Sequence, residues 1–254
     1  MGSETFSVNQ AGSVPFISLN GVVNAASYAS AAISPGLIVT VFGTFLGPQI
    51  LATAQVSTDG KSLTKDLQSS QILFDGVPGA MIYSSATQAS AVVPYSVAGK
   101  PNTKVTVQYQ GITSAEVTVP VTAVVPAIFT LDQSGKGQGA VLLNDNFSVN
   151  GPTNAAARNS IIVVFATGEG ITNPVGVDGK LTVAPLPVPV ATRSARIGNI
   201  DAPIVYVGGA PGLVAGLVQL NIRVPQTAPV GNAVPLVITI GAATTQANVT
   251  IAVR

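Results

Sequence analysis

Glu169 and Asp178 are the two side chains whose setting suggests chemistry. Glu169 lies in the Gly-rich stretch Thr167-Gly168-Glu169-Gly170, directly after an apolar run, and Asp178 follows nine residues later in Asp178-Gly179-Lys180. Two carboxyls held about 5 to 10 Å apart can act as acid and base on a glycosidic bond. Tyr95, immediately after Pro94, is the tyrosine expected to be exposed. Its ring could stack on a sugar. Gly135-Lys136-Gly137-Gln138-Gly139 resembles a phosphate loop superficially, but its spacing is not that of a Walker motif and no helix signal follows. Asn144-Asp145-Asn146 and the Asp178 loop gather oxygen donors, yet neither matches an EF-hand.

Each of these features has a plainer explanation. Ten acidic residues will place some pair at catalytic distance by chance, and Glu169 could cap backbone N–H groups in a loop whose two glycines supply the required φ values. A turn explains the Asn-Asp-Asn stretch equally well. The chain contains no His and no Cys. Ser-His-Asp and Cys-His catalysis are therefore excluded, as are zinc and haem sites of the ordinary kinds. The expectation is no catalytic residue, no metal and no cofactor, with Tyr95, Glu169 and Asp178 as ligand-binding candidates.

Composition narrows the partners. The 11 basic and 10 acidic side chains leave a net charge of +1, with no run able to neutralise a line of phosphates, so nucleic acid is not expected. The chain is 47% apolar, but Gly, Pro, Ser and Thr break every apolar run well short of the roughly 20 residues a spanning helix needs. Met1-Gly2-Ser3-Glu4 carry neither a basic nor an apolar signal region. A surface poor in charge and rich in Thr, Ser, Asn and Gln nevertheless suggests a secreted or cell-surface protein.

The elements that must position these residues are strands. Val105, Val107 and Tyr109 alternate with Lys104, Thr106 and Gln108; after Gly111, Val117, Val119 and Val121 alternate with Glu116 and Thr118. That is the pattern of a half-buried hairpin. Leu236, Ile238 and Ile240, then Gly241, then Val249, Ile251 and Val253 repeat it. Phe42 and Phe165 lie 123 residues apart within matching strands, and so do Tyr83 and Tyr206. Val92-Val93-Pro94 matches Arg223-Val224-Pro225 at a separation of 131, which gives the second copy about eight extra residues around Gly208-Gly209-Ala210-Pro211-Gly212-Leu213-Val214-Ala215-Gly216. Two copies of a seven-strand unit predict an all-β protein of two tandem immunoglobulin-like β-sandwiches. The expected division is an N-terminal extension over residues 1–19, a first sandwich over 20–125 and a second over 126–254, joined at a Pro-containing hinge, Val125-Pro126-Ala127-Ile128-Phe129. Thr5-Phe6-Ser7-Val8-Asn9-Gln10 and Val14-Pro15-Phe16-Ile17-Ser18-Leu19 also alternate. They read as an edge strand or linker, or as a strand donated to a neighbouring subunit.

Five strings carry a family resemblance: residues 22–28 (Val-Val-Asn-Ala-Ala-Ser-Tyr), residues 34–43, Ala166-Thr167-Gly168-Glu169-Gly170, residues 176–181, and residues 210–221, Ala-Pro-Gly-Leu-Val-Ala-Gly-Leu-Val-Gln-Leu-Asn. Over residues 20–254 the chain resembles the Solibacter-type C-terminal domain of large exported acidobacterial proteins. Each half also resembles the immunoglobulin-like (IPT/TIG-like) fold of plexins and some transcription factors. The resemblance implies export and no established activity.

These readings converge on a non-catalytic exported protein with a structural or adhesive role, able to self-associate through its N-terminal strand into a surface or extracellular filament. The alternative expectation is a carbohydrate-binding module, with a glycan as partner, accessory to polysaccharide degradation.

Overall fold

The computed structural model describes residues 13–254, and the chain is all-β, without an α-helix among those residues. Asn102–Tyr109, Leu217–Arg223 and Gly231–Ile240 follow the period-2 pattern of their sequence, whereas the apolar runs Ile38–Thr44 and Ile161–Thr167 are buried on both faces over most of their length. The first unit comprises β1 (Phe16–Asn24), β2 (Ile38–Thr44), β3 (Ala52–Thr53), β4 (Ser70–Phe74), β5 (Val77–Pro78), β6 (Ala80–Ser84), β7 (Gln88–Val92), β8 (Asn102–Tyr109), β9 (Ile112–Thr113) and β10 (Val117–Pro120). One sheet runs β1-β2-β7-β6-β3, and the facing sheet runs β10-β8-β4-β5 with β9 attached to β8. Val39, Val41, Ile72, Phe74, Val105 and Val107 fill the space between them.

The second unit comprises β11 (Ala127–Ile128), β12 (Gly137–Gln138), β13 (Val141–Leu143), β14 (Ile161–Thr167), β15 (Thr172–Asn173), β16 (Val188–Pro189), β17 (Arg193–Ile197), β18 (Ile200–Asp201), β19 (Ile204–Gly209), β20 (Leu217–Arg223), β21 (Gly231–Ile240), β22 (Ala243–Thr244) and β23 (Val249–Val253). Its sheets run β11-β14-β20-β19, with β13 beside β14, and β12-β23-β21-β17-β18, with β22 beside β21. A separate core forms between them from Ile162, Val164, Leu220, Leu236, Ile238 and Ile251. The chain is thus two tandem immunoglobulin-like β-sandwiches.

The repeat survives at the level of register. Val41 faces Ala89 as Val164 faces Leu220, and Phe74 faces Val105 as Ile197 faces Leu236. Gly111 and Gly241 are not equivalent, however. In the β8–β9 turn Gln110 and Gly111 both have positive φ, 51° and 80°, whereas in the β21–β22 turn Gly241 comes first, with φ 58°, and Ala242 does not share it. The two hairpins therefore close with different two-residue turns.

Two segments flank the first unit. Residues 16–19 belong to β1, which pairs with β2 inside the first unit through Phe16↔Thr44 and Ile17↔Gly43. Thr5 to Gln10 lie outside the described residues. The Val125 hinge is fastened at both polar groups: the Val125 N–H donates to the Gly168 carbonyl at 2.9 Å, and the Val125 carbonyl accepts from Asn24 Nδ2 at 3.0 Å.

Candidate functional site

All three candidate side chains lie at the junction between the sandwiches. Tyr95 opens a single 3₁₀ turn, Tyr95–Val97, after β7. The expectation that it is exposed is wrong: its relative exposure is 8%. Proline does start a loop here, but the second unit covers that loop. A Cβ on Gly176 would lie 2.1 Å from the Tyr95 ring, and one on Gly36 would lie 2.8 Å from its hydroxyl. Burial, then the negative charges of Glu169 and Asp178, push the phenol pKa well above the ordinary tyrosine range.

Asp178 reaches across the junction from the loop between β15 and β16. Its Oδ1 accepts the Tyr95 backbone N–H at 2.8 Å. Around it the same loop is laced to the first unit by main-chain bonds, Leu63 N–H to the Gly179 carbonyl and Leu181 N–H to the Lys61 carbonyl, both at 2.8 Å. These short extended contacts extend the hydrogen bonding of each unit across the boundary.

Glu169 follows β14 and is 2% exposed. Gly168 (φ 85°) and Gly170 (φ 74°) flank it. A Cβ at either would fall within 2.2 Å of a backbone oxygen of the linker, Val125 or Ala123. Only glycine lets the loop both turn and press against the linker. The carboxyl is stabilised weakly by the backbone N–H groups of Gly168 and its own residue, while Oε2 has no hydrogen-bond partner. Burial dominates and pushes the pKa up to about 8. At neutral pH Glu169 is mainly a protonated, uncharged acid. It lines an interdomain cleft of about 530 Å³ whose other walls include Pro35, Lys100, Val121, Val124 and Ile171. The Lys100 ammonium pairs with Asp75 at 2.7 Å rather than with Glu169.

Three further polar residues bind the units together. Thr167 accepts the Ile38 N–H at 2.9 Å and donates to the Gly216 carbonyl at 2.8 Å. Asn24 caps its own turn by accepting the Ala26 N–H while its Nδ2 donates to the linker. Gln246 Nε2 donates to the carbonyls of Ile128 and Ala26, one in each unit. Asn24 and Thr167 fall within the quoted family strings, so their neighbourhood was visible in sequence; Gln246 carried no signal. Beneath these bonds Ile38, Ala80 and Val92 of the first unit pack with Val214 of the second. Val214 comes from the Gly-rich segment that the second copy carries in excess. Gly216 ends that segment with φ 104°, and a Cβ there would sit 2.1 Å from the Gly36 carbonyl.

The remaining candidates are turns. Asn146 Oδ1 accepts the N–H and hydroxyl of Ser148 at 3.0 and 2.6 Å. In the Gly135 stretch, Thr130 Oγ1 accepts the Gly135 N–H and the Asp132 carboxylate accepts from Ser134. Among the described residues no group of three acidic side chains is placed to hold a metal, and no helix is long and apolar enough to cross a membrane.

No family model matches the chain, and no curated protein matches it. Solved structures similar to it include SGBP-B from a complex xyloglucan utilization locus in Bacteroides uniformis, at 14% identity and a TM-score of 0.27, covering 94% of this chain and 50% of that one. The full extracellular region of plexin A4 gives 10% identity and a TM-score of 0.32, covering 100% of this chain and 17% of that one. Domains 5-6 of the S-layer protein SbsC give 14% and 0.28, with 94% of this chain and 98% of that one covered. This chain therefore spans about half of the first structure and a smaller part of the second. Likenesses at these scores carry no functional argument, and the architecture rests on the strand order and cores described above.

Proposed function

We propose that this chain is a non-catalytic β-sandwich module of the cell exterior, with a structural or adhesive role that depends on holding two immunoglobulin-like units in one fixed orientation. The observation that carries the reading is the use made of the polar side chains at the junction. Asp178 holds the Tyr95 backbone, and Thr167 and Gln246 bridge the units. A catalytic pair must keep its carboxyls free to meet a substrate. Here Asp178 is engaged across the junction, and Glu169 borders a cleft whose lining holds no second carboxyl. Tyr95 is covered on the face that sugar stacking would need, so the carbohydrate-binding alternative loses its aromatic. Export, and membership of the Solibacter-type family, form part of this proposal on the strength of the sequence strings, each of which contributes a residue to the junction.

Rigidity is directly measurable, because the chain has no native Cys to interfere with labelling. Spin labels at Thr113→Cys and Thr227→Cys, exposed positions in the first and second units, should give a single narrow distance distribution by double electron–electron resonance. A broad distribution would overturn the reading.

A further inference from the structure

The two sandwiches differ at one edge. In the first unit the outer side of β6 is covered: the Met81 N–H donates to the Thr64 carbonyl at 2.9 Å, and β3 pairs with Tyr83 and Ser84. The positions 123 residues later are Ile204, Tyr206 and Val207 of β19. Strand β19 pairs with β20 through the same one-residue irregularity as β6 with β7, which places the Ile204 N–H on the outer side. Among the described residues no strand pairs with that outer side between Ile204 and Val207. Covering resumes only at Gly209, whose N–H donates to the Pro187 carbonyl. Where the first unit has Thr64 and β3, the second has an open groove of about 790 Å³. It runs between β19 and β17, past Ser194, Ala195 and Ala202.

We propose that this groove takes the N-terminal segment of a second copy of the chain, residues 5–10, as an added antiparallel or parallel strand. Exposed strand edges recruit extended segments through main-chain hydrogen bonds, with alternate side chains entering the groove. Thr5-Phe6-Ser7-Val8-Asn9-Gln10 offers that alternation, with Phe6 and Val8 on one side and no charge. The donor must come from another molecule. Strand β1 runs from Phe16, paired with Thr44 at the far end of the first unit, to Asn24 at the junction. Because residues 18–21 bulge out of the pairing, it advances only from Thr44 to Val39 of its partner β2, roughly 17 Å. Only residues 11–15 separate Gln10 from Phe16, a reach of about 20 Å. Val207 and Ile204 lie level with Val164 and Ile162, three and five residues beyond Thr167 at the junction, so the groove begins about 10 Å further on and a segment tethered at Phe16 falls short of it in its own molecule. Head-to-tail contacts of this kind do not close on themselves unless the rotation per subunit happens to form a ring, so the product is an open polymer. The contact deepens the structural reading above and rests on it for its use.

The test uses the full chain, a version lacking residues 1–12, and a labelled synthetic peptide of residues 1–12. The peptide should bind the shortened protein saturably, and Ile204→Pro, which removes the outward N–H, should weaken binding by about tenfold or more. Because that variant could perturb folding, Phe6→Asp with Val8→Asp in the full chain provides a second arm: sedimentation should show concentration-dependent growth for the parent and a monomer for the double variant. Mixed Val8→Cys and Val205→Cys chains should cross-link to each other, and Val8→Cys should not cross-link to Thr118→Cys. Absence of peptide binding, a monomeric parent, or cross-linking to both positions overturns strand addition. A monomer that keeps its narrow interunit distance would leave the structural module standing; a broad distance would sink that reading whatever the state of assembly.

Discussion

Glu169 shows how a single residue couples the junction to pH. In the unfolded chain its carboxyl titrates near 4.5, and in the folded chain near 8, because burial penalises the charged form. Between those values the native state keeps a proton that the unfolded state has lost, so stability falls as pH rises through the window. Below the window Glu169 contributes no slope, and above about 8 the loss is complete. The expected gradient is on the order of 1 kcal/mol per pH unit at most. Glu169→Gln, neutral at every pH, should flatten that part of the profile and be the more stable protein at pH 9. Urea unfolding of both proteins at pH 5, 7 and 9 measures the difference, and parallel profiles would show that the carboxyl is better solvated than its position indicates. Tyr95 teaches the complementary lesson about legibility. A residue after proline in a polar stretch reads as exposed, because local sequence contains no information about a surface that arrives from 80 residues away.

At the scale of strands, alternation was sufficient. Val119 (5% exposed) and Ile251 (0%) point into their respective cores, whereas Thr118 is exposed, as their periodicity requires. Val119→Asp or Ile251→Asp should bury an unpaired charge and cost several kcal/mol, and Thr118→Asp should stay within about 0.5 kcal/mol. Equal midpoints in urea would mean that the faces are reversed. The long strands and the 123-residue repeat were legible because each depends on short-range pattern or on simple comparison of the chain with itself. The short edge strands β3, β16 and β18 have two residues each, too few for a period to show. The turn chemistry was legible only as glycine, since Gly111 and Gly241 occupy different turn positions that spacing alone did not separate. The candidate site fared in an intermediate way. Glu169 and Asp178 stand out in sequence by their setting in Gly-rich loops, and those glycines allow close approach between the units.

At the scale of the molecule, the two cores are separate, yet the junction makes each unit part of the other's surface. Ile38, Ala80, Val92 and Val214 are buried there, and burying an Ile or Val side chain contributes about 1.5 to 3 kcal/mol and the Ala methyl about 0.8 kcal/mol. A junction of that strength should couple the units into one unfolding transition, since neither can open without exposing the shared cluster. Gly216 is the place to weaken the coupling without touching either core. Its φ of 104° disfavours any L side chain, and a Cβ would meet the Gly36 carbonyl, so Gly216→Ala should cost about 2 kcal/mol or more. Because the clash with the Gly36 carbonyl is relieved by separating the units, while the φ strain stays in one loop, the variant should lose coupling before it loses either sandwich. Differential scanning calorimetry is expected to show one transition for the parent and two for Gly216→Ala, with far-ultraviolet circular dichroism at 25 °C unchanged. Two transitions already present in the parent would show that the junction orients the sandwiches without stabilising them.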